Sequence, residues 1–144
     1  DYEFQKEIIA VKDKVNNKMN ELRVADAIDE ILELFRRSNK YIDETTPWVL
    51  AKDETKKAEL DTVMRNLAEC LRIVSILIVP FMHTTSDRMR DQLGLSEVPA
   101  VWEDAFEFYQ MEGAETHKGD MLFPRLDIDK ELEELYALGE AARA

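Results

Sequence analysis

The sequence predicts an all-α fold, a helical bundle with an irregular C-terminal segment. Two observations carry that prediction. Only four glycines and four prolines occur among 144 residues, far below the roughly 12% average share, so turns are few and helices long. Apolar residues also recur in steps of three and four, the spacing that gathers them on one helix face.

The elements follow in order. Phe4, Ile8, Val11, Val15, Met19 and Leu22 form one apolar stripe among Lys, Asp, Glu and Asn, which predicts a helix over residues 4–22. Residues 23–26 read as a corner, with Asp26 as N-cap. A second helix is predicted over 26–42, with Ala27, Ile28, Ile31, Leu34, Phe35 and Ile42 inward. Arg36, Arg37 and Lys40 lie on its last turns, where the helix dipole favours cations. Thr46-Pro47-Trp48 reads as a new helix start, since proline at the first helical position loses no needed N–H and Thr46 can cap. That helix is short, because residues 52–55 form another break with Asp53 as the next cap.

A third long helix is predicted over 55–79 from Leu60, Val63, Met64, Leu67, Leu71, Val74 and Ile78. Apolar residues surround it from Leu71 onward, so that end is expected to be the most buried, and Pro80 ends or kinks it. Thr84 with Asp87 resembles a capping box opening a helix toward Leu93, and Gly94 stands where a C′ glycine belongs. Residues 102–106 read as a helical turn, 113–124 as loop, and 129–144 as a C-terminal helix or linker. The main domain is therefore expected over 1–128.

Composition narrows the function. The net charge is −12, and a field of that sign repels phosphate, which disfavours nonspecific nucleic-acid binding but leaves room for a local site that reads bases. The most apolar run, 73–82, is too short to span a bilayer and contains Pro80, so no membrane association is expected. The lone Cys70 excludes an intrachain disulfide framework and fits a reducing cytoplasm. It falls mid-helix near the apolar stripe and is expected to be a buried structural cysteine. The chain starts without a methionine and reads as an excised fragment.

Familiar catalytic patterns are missing. His83 and His117 have no Glu three residues before them and no His-Glu-x-x-His helix exists, so no metal site is expected. Gly94, Gly113, Gly119 and Gly139 match no phosphate-cradling fingerprint. No catalytic residue and no cofactor is expected in this piece.

The informative stretch is Asn39-Lys40-Tyr41-Ile42-Asp43-Glu44, leading to Pro47-Trp48 and Ala51-Lys52. Two readings compete for Trp48. One is a core tryptophan, because the indole is costly to expose. The other is a rigid platform, fixed by Pro47, on which a splayed-out base stacks. Asn39 and Asp43 lie one turn apart on one face. They suit either polar recognition or tying down the Thr46 turn. Trp102 has nothing basic adjoining it and reads as packing.

That stretch resembles the helical anticodon-binding domain of methionyl-tRNA synthetases, which belong to the class I aminoacyl-tRNA synthetases. Three further pieces agree in order: Asn66-Leu67-Ala68-Glu69-Cys70-Leu71-Arg72, then Leu77-Ile78-Val79-Pro80-Phe81-Met82 running on to Leu93-Gly94, then Leu122-Phe123-Pro124-Arg125-Leu126-Asp127. The resemblance covers about residues 1–128. Leucyl-, isoleucyl-, valyl- and cysteinyl-tRNA synthetases share the bundle, but Tyr41-Ile42-Asp43-Glu44 into Pro47-Trp48 fits the methionyl family best.

The resemblance implies an upstream Rossmann-type catalytic domain that attaches methionine to tRNA using ATP and Mg²⁺. The His-Ile-Gly-His and Lys-Met-Ser-Lys-Ser motifs of that domain are absent here. For this piece it implies recognition of the CAU anticodon loop of tRNA(Met). Trp48 then stacks a base and Pro47 sets its pose. Asp43 faces the anticodon pocket, and Asn39 hydrogen-bonds the helix junction. Arg36, Lys40 and Lys52 are candidate phosphate contacts, with solvated surface charge as the alternative. Two departures stand out. The family's Asn-x-x-x-Arg base-reading face is not found before Phe4, and residue 83 is His where the family usually has Pro. A helical scaffold without RNA contact is the rival reading. It predicts a buried Trp48, whereas RNA reading needs an exposed one. Apolar side chains uncovered on helices one to three by a missing upstream helix predict self-association.

Overall fold

A computed structural model describes residues 2–108 and 110–141. Among the described residues six α-helices follow in order: α1 Tyr2–Asn20, α2 Val24–Thr45, α3 Pro47–Leu50, α4 Lys57–Leu77, α5 His83–Gln92 and α6 Ile128–Ala141. Short 3-10 turns occupy Glu54–Lys56 and Trp102–Phe106, and no strand occurs among the described residues. The expected all-α bundle is what the chain forms.

Helix α1 buries Phe4, Ile8, Val11 and Val15 of the expected stripe against α2. Leu22 departs from it. It lies beyond the helix at φ 60° and is exposed, because the chain must turn there to reverse direction. Asp26 is not the N-cap of α2 either. The cap position is Arg23, without a side-chain bond, and Asp26 sits in the first turn paired with the Arg23 guanidinium.

Helix α4 is the centre of the molecule, touching α1, α2, α3, α5 and both 3-10 turns. Asp53 starts this region as expected, its carboxylate accepting from the Thr55 N–H at 3.0 Å and the Thr55 hydroxyl at 2.6 Å. From Arg72 to Ile78 every residue is buried, as the all-round apolar pattern predicts. Met64 and Leu71, also on the expected stripe, are exposed.

The Thr84–Asp87 capping box does not form. Helix α5 starts two residues earlier, at His83 with Met82 at the cap position, and Asp87 pairs with the His83 Nδ1 at 3.2 Å. Gly94 behaves as expected, with φ 72° just past α5. The Leu95 N–H donates to the Arg90 carbonyl at 2.8 Å and the Gly94 N–H to the Asp91 carbonyl at 2.9 Å. The described residues between 107 and 127 run mainly without regular structure. Helix α6 is capped by the Asp127 carboxylate, which accepts from the Asp129 N–H at 3.2 Å, and it buries no residue.

Exposed apolar side chains are most frequent at this end, in Met121, Phe123, Leu126, Ile128, Leu135 and Tyr136, while Tyr2, Val24, Leu32, Met64 and Leu71 are exposed on the first three long helices. The end of the expected 129–144 segment, residues 142–144, lies outside the described residues.

Candidate nucleic-acid interface

The site is built on the corner where α2 meets α3. Along α2, Leu34, Ser38 and Tyr41 are buried. Tyr41 stacks on Phe4 with ring centroids 4.2 Å apart, and its hydroxyl accepts from Asn66 Nδ2 at 3.0 Å. Asn66 Oδ1 in turn accepts from Gln5 at 2.9 Å. This network pins the end of α2 to both α1 and α4.

With one face of α2 held inward, the opposite face must look outward. Arg36, Asn39, Lys40 and Asp43 stand at relative positions 0, +3, +4 and +7, a single helical stripe, and all four are exposed. Neither Asn39 nor Asp43 makes a side-chain hydrogen bond or ion pair among the described residues. Asn39 therefore does not tie the helix junction, contrary to expectation, and both polar groups are open to solvent. Arg36 is paired with Glu33 at 2.7 Å and Lys40 with Glu44 at 3.6 Å. Exposed pairs of this kind are worth only about 0–1 kcal/mol, so they yield readily to a competing phosphate. Lys52 is exposed just past α3.

Thr46 makes the corner. Its backbone is left-handed, at φ 44° and ψ 59°. A β-branched residue there is a true conformational outlier, costing about 1–3 kcal/mol. The Thr46 N–H donates to the Ile42 carbonyl at 2.9 Å, closing α2. The Thr46 carbonyl accepts from the Val49 N–H at 2.8 Å, opening α3. Its side chain makes no cap bond, so the capping role expected for the hydroxyl falls to backbone groups. Pro47 occupies the first helical position as expected. Leu50 is buried, which fixes the far end of α3, and Trp48 is 53% exposed. One turn of helix thus holds an open indole between two anchored residues.

The family model described as the anticodon binding domain of methionyl tRNA ligase matches residues 2–138. This chain belongs to that family. It is 49% identical over 122 residues to a methionine–tRNA ligase of Caldanaerobacter subterraneus, covering 85% of this chain and 19% of that protein. It is 47% identical over 130 residues to the one of Clostridium tetani, covering 90% and 20%. The chain therefore spans about a fifth of the length of the curated relatives it matches. The solved structure of free Mycobacterium tuberculosis methionyl-tRNA synthetase matches with a TM-score of 0.73 at 22% identity, over 88% of this chain and 26% of that one. At that identity the match speaks for the fold.

The sequence reading missed how this anticodon-binding domain buries charge. Glu69 and Arg72 are both buried and paired at 2.8 Å. Arg72 also donates to the carbonyls of Asp104 at 3.2 Å and Glu107 at 2.5 Å, while the Met111 N–H donates to Glu69 at 2.7 Å. The pair clamps the backbone at Asp104, Glu107 and Met111. Lys12 is buried with its ammonium 3.4 Å from the Phe106 ring centroid, and burial pulls its pKa down. Arg90 is buried and donates to the Val98 carbonyl. A charged residue inside an apolar stripe, as Lys12 is between Val11 and Val15, was the one available signal.

Cys70 is buried 3.1 Å from the Ser38 hydroxyl. Burial pushes its thiol up to about 11, so it is the structural cysteine expected. Trp102 packs against the core, also as expected. Among the described residues no group of His, Cys, Asp and Glu is placed to hold a metal ion, and no helix is long and apolar enough to cross a membrane.

Proposed function

We propose that this domain recognises the anticodon loop of tRNA(Met) within a methionine–tRNA ligase. The ligase attaches methionine to tRNA with ATP and Mg²⁺ at a catalytic domain outside this chain, in the cytoplasm. The observation that carries the reading is the half-open Trp48 indole just past a helix whose exposed stripe carries Asn39 and Asp43, neither with a side-chain partner among the described residues. Trp48 offers a flat apolar face to one unpaired base, with Pro47 setting its pose. Asn39 offers a donor and an acceptor to base edges, and Asp43 offers acceptors. Arg36, Lys40 and Lys52, all exposed, are the phosphate contacts in this reading. Membership in the family supports this assignment over a scaffold without RNA contact, which requires a sealed Trp48.

Base–aromatic stacking is worth roughly 1–3 kcal/mol, about tenfold to a hundredfold in binding. That discriminates among anticodons but does not hold a whole tRNA, so the rest of the ligase supplies the grip. In the full ligase, Trp48→Ala is expected to cut tRNA aminoacylation about tenfold to a hundredfold while ATP–methionine activation stays near wild type. Equal loss of both activities would count against the reading. The isolated chain is also expected to self-associate through its uncovered apolar surface; a clean monomer in ultracentrifugation at high concentration would argue otherwise.

A further inference from the structure

The corner that carries Trp48 holds an unsolved local problem. Thr46 lies in the left-handed region, where glycine or asparagine is at ease and a β-branched residue is not. Nothing about Thr46 as a side chain repays that conformation, since its hydroxyl makes no cap bond. What the conformation accomplishes is geometric. It lets one residue both end α2, through the Ile42 carbonyl, and start α3, through the Val49 and Leu50 N–H groups at 2.8 and 3.3 Å. Two consecutive helices joined by a single residue leave no slack. With Tyr41 buried on one side and Leu50 on the other, the direction of Trp48 is set by the two Thr46 torsions.

We propose that Thr46 is a positioning residue for nucleotide recognition: its strained left-handed backbone is the pivot that holds the Trp48 ring open for a base. Proline at 47 fixes the next torsion, so the freedom of the corner resides in residue 46 alone. Its β-branched side chain narrows that freedom further. Strain kept at such a point trades stability for pre-organisation. Glycine at 46 removes the strain and also removes the restraint, whereas asparagine tolerates the left-handed conformation and still carries a Cβ. The proposal rests on the reading that Trp48 stacks an RNA base.

The test uses the full 144-residue chain, an RNA hairpin presenting a CAU loop at low salt, and Trp48→Ala as control. Acrylamide quenching is read in a Trp102→Phe background, which leaves Trp48 as the sole indole. Thr46→Gly is expected to melt no lower than the parent, to bind the hairpin about fivefold more weakly, and to show weaker acrylamide quenching of Trp48, as the released ring settles onto the bundle. Thr46→Asn is expected to bind within about twofold of the parent, as conservative rescue. Unchanged affinity and quenching in Thr46→Gly, with Trp48→Ala weakened, overturns the pivot while leaving base stacking intact. A Thr46→Gly chain whose melting temperature and affinity fall together reduces Thr46 to a structural role and also overturns it. Unchanged binding by Trp48→Ala overturns base stacking itself, and the pivot with it.

Discussion

At the scale of single residues, the buried Glu69–Arg72 pair dominates. Both charges are desolvated, and each finds further partners in the backbone groups of Asp104, Glu107 and Met111. Removing one partner strands the other's charge, which costs about 3–5 kcal/mol. Arg72→Met is therefore expected to lose about that much in urea unfolding, while Glu69→Leu with Arg72→Met together loses less because no unpaired charge remains. Cys70 makes a pH prediction. The folded state holds its thiol near 11 against an ordinary value of 9.0. Above pH 9 the unfolded chain gives up that proton first, so the thiol's contribution falls as pH rises from about 9 through 11. Comparing the parent with Cys70→Ala isolates this from Lys12, whose lowered pKa acts with opposite sign. The parent's advantage should shrink by about 2 kcal/mol over that window, and the thiol should stay unreactive toward alkylation at neutral pH.

At the scale of elements, turn chemistry decides where helices stop. Gly94 ends α5 with φ 72°, and a Cβ placed there would lie 2.3 Å from the Glu115 carbonyl oxygen. Gly94→Ala thus meets both a conformational penalty and a backbone clash. A loss above about 1 kcal/mol is expected, seen as a melting temperature several degrees lower. A melting curve unchanged from the parent would refute the close approach. Caps were partly legible from residue type. Asp53 and Gly94 were found because one side chain or one torsion suffices there. Asp26, Thr46 and Thr84 were not, because side chains of that type compete with backbone groups one to three residues away, and the packing of the flanking helices selects the winner. The short α3 was legible through Pro47.

At the scale of the whole molecule, α1–α5 form the core around α4, while α6 buries nothing. A chain ending at Asp127 is expected to melt within about 2 °C of the parent, since surface changes away from the core fall within about 0.5 kcal/mol. It should also self-associate less in ultracentrifugation, because Ile128, Leu135 and Tyr136 leave with the helix. A large drop in melting temperature would show that α6 holds the fold.

The sequence alone determined the helical class, most helix spans and the Asn39–Trp48 signature. Apolar spacing and turn residues act locally, so they are written along the chain. Which side chains face water was decided only in three dimensions. Lys12, Glu69, Arg72 and Arg90 are charged yet buried, because partners distant in the chain satisfy them there. Trp48 is apolar yet open, because α3 packs on α4 through the buried Leu50 and leaves the indole on the side that nothing covers. Burial is a property of what packs around a residue, and for these residues those neighbours arrive from helices far apart in the chain.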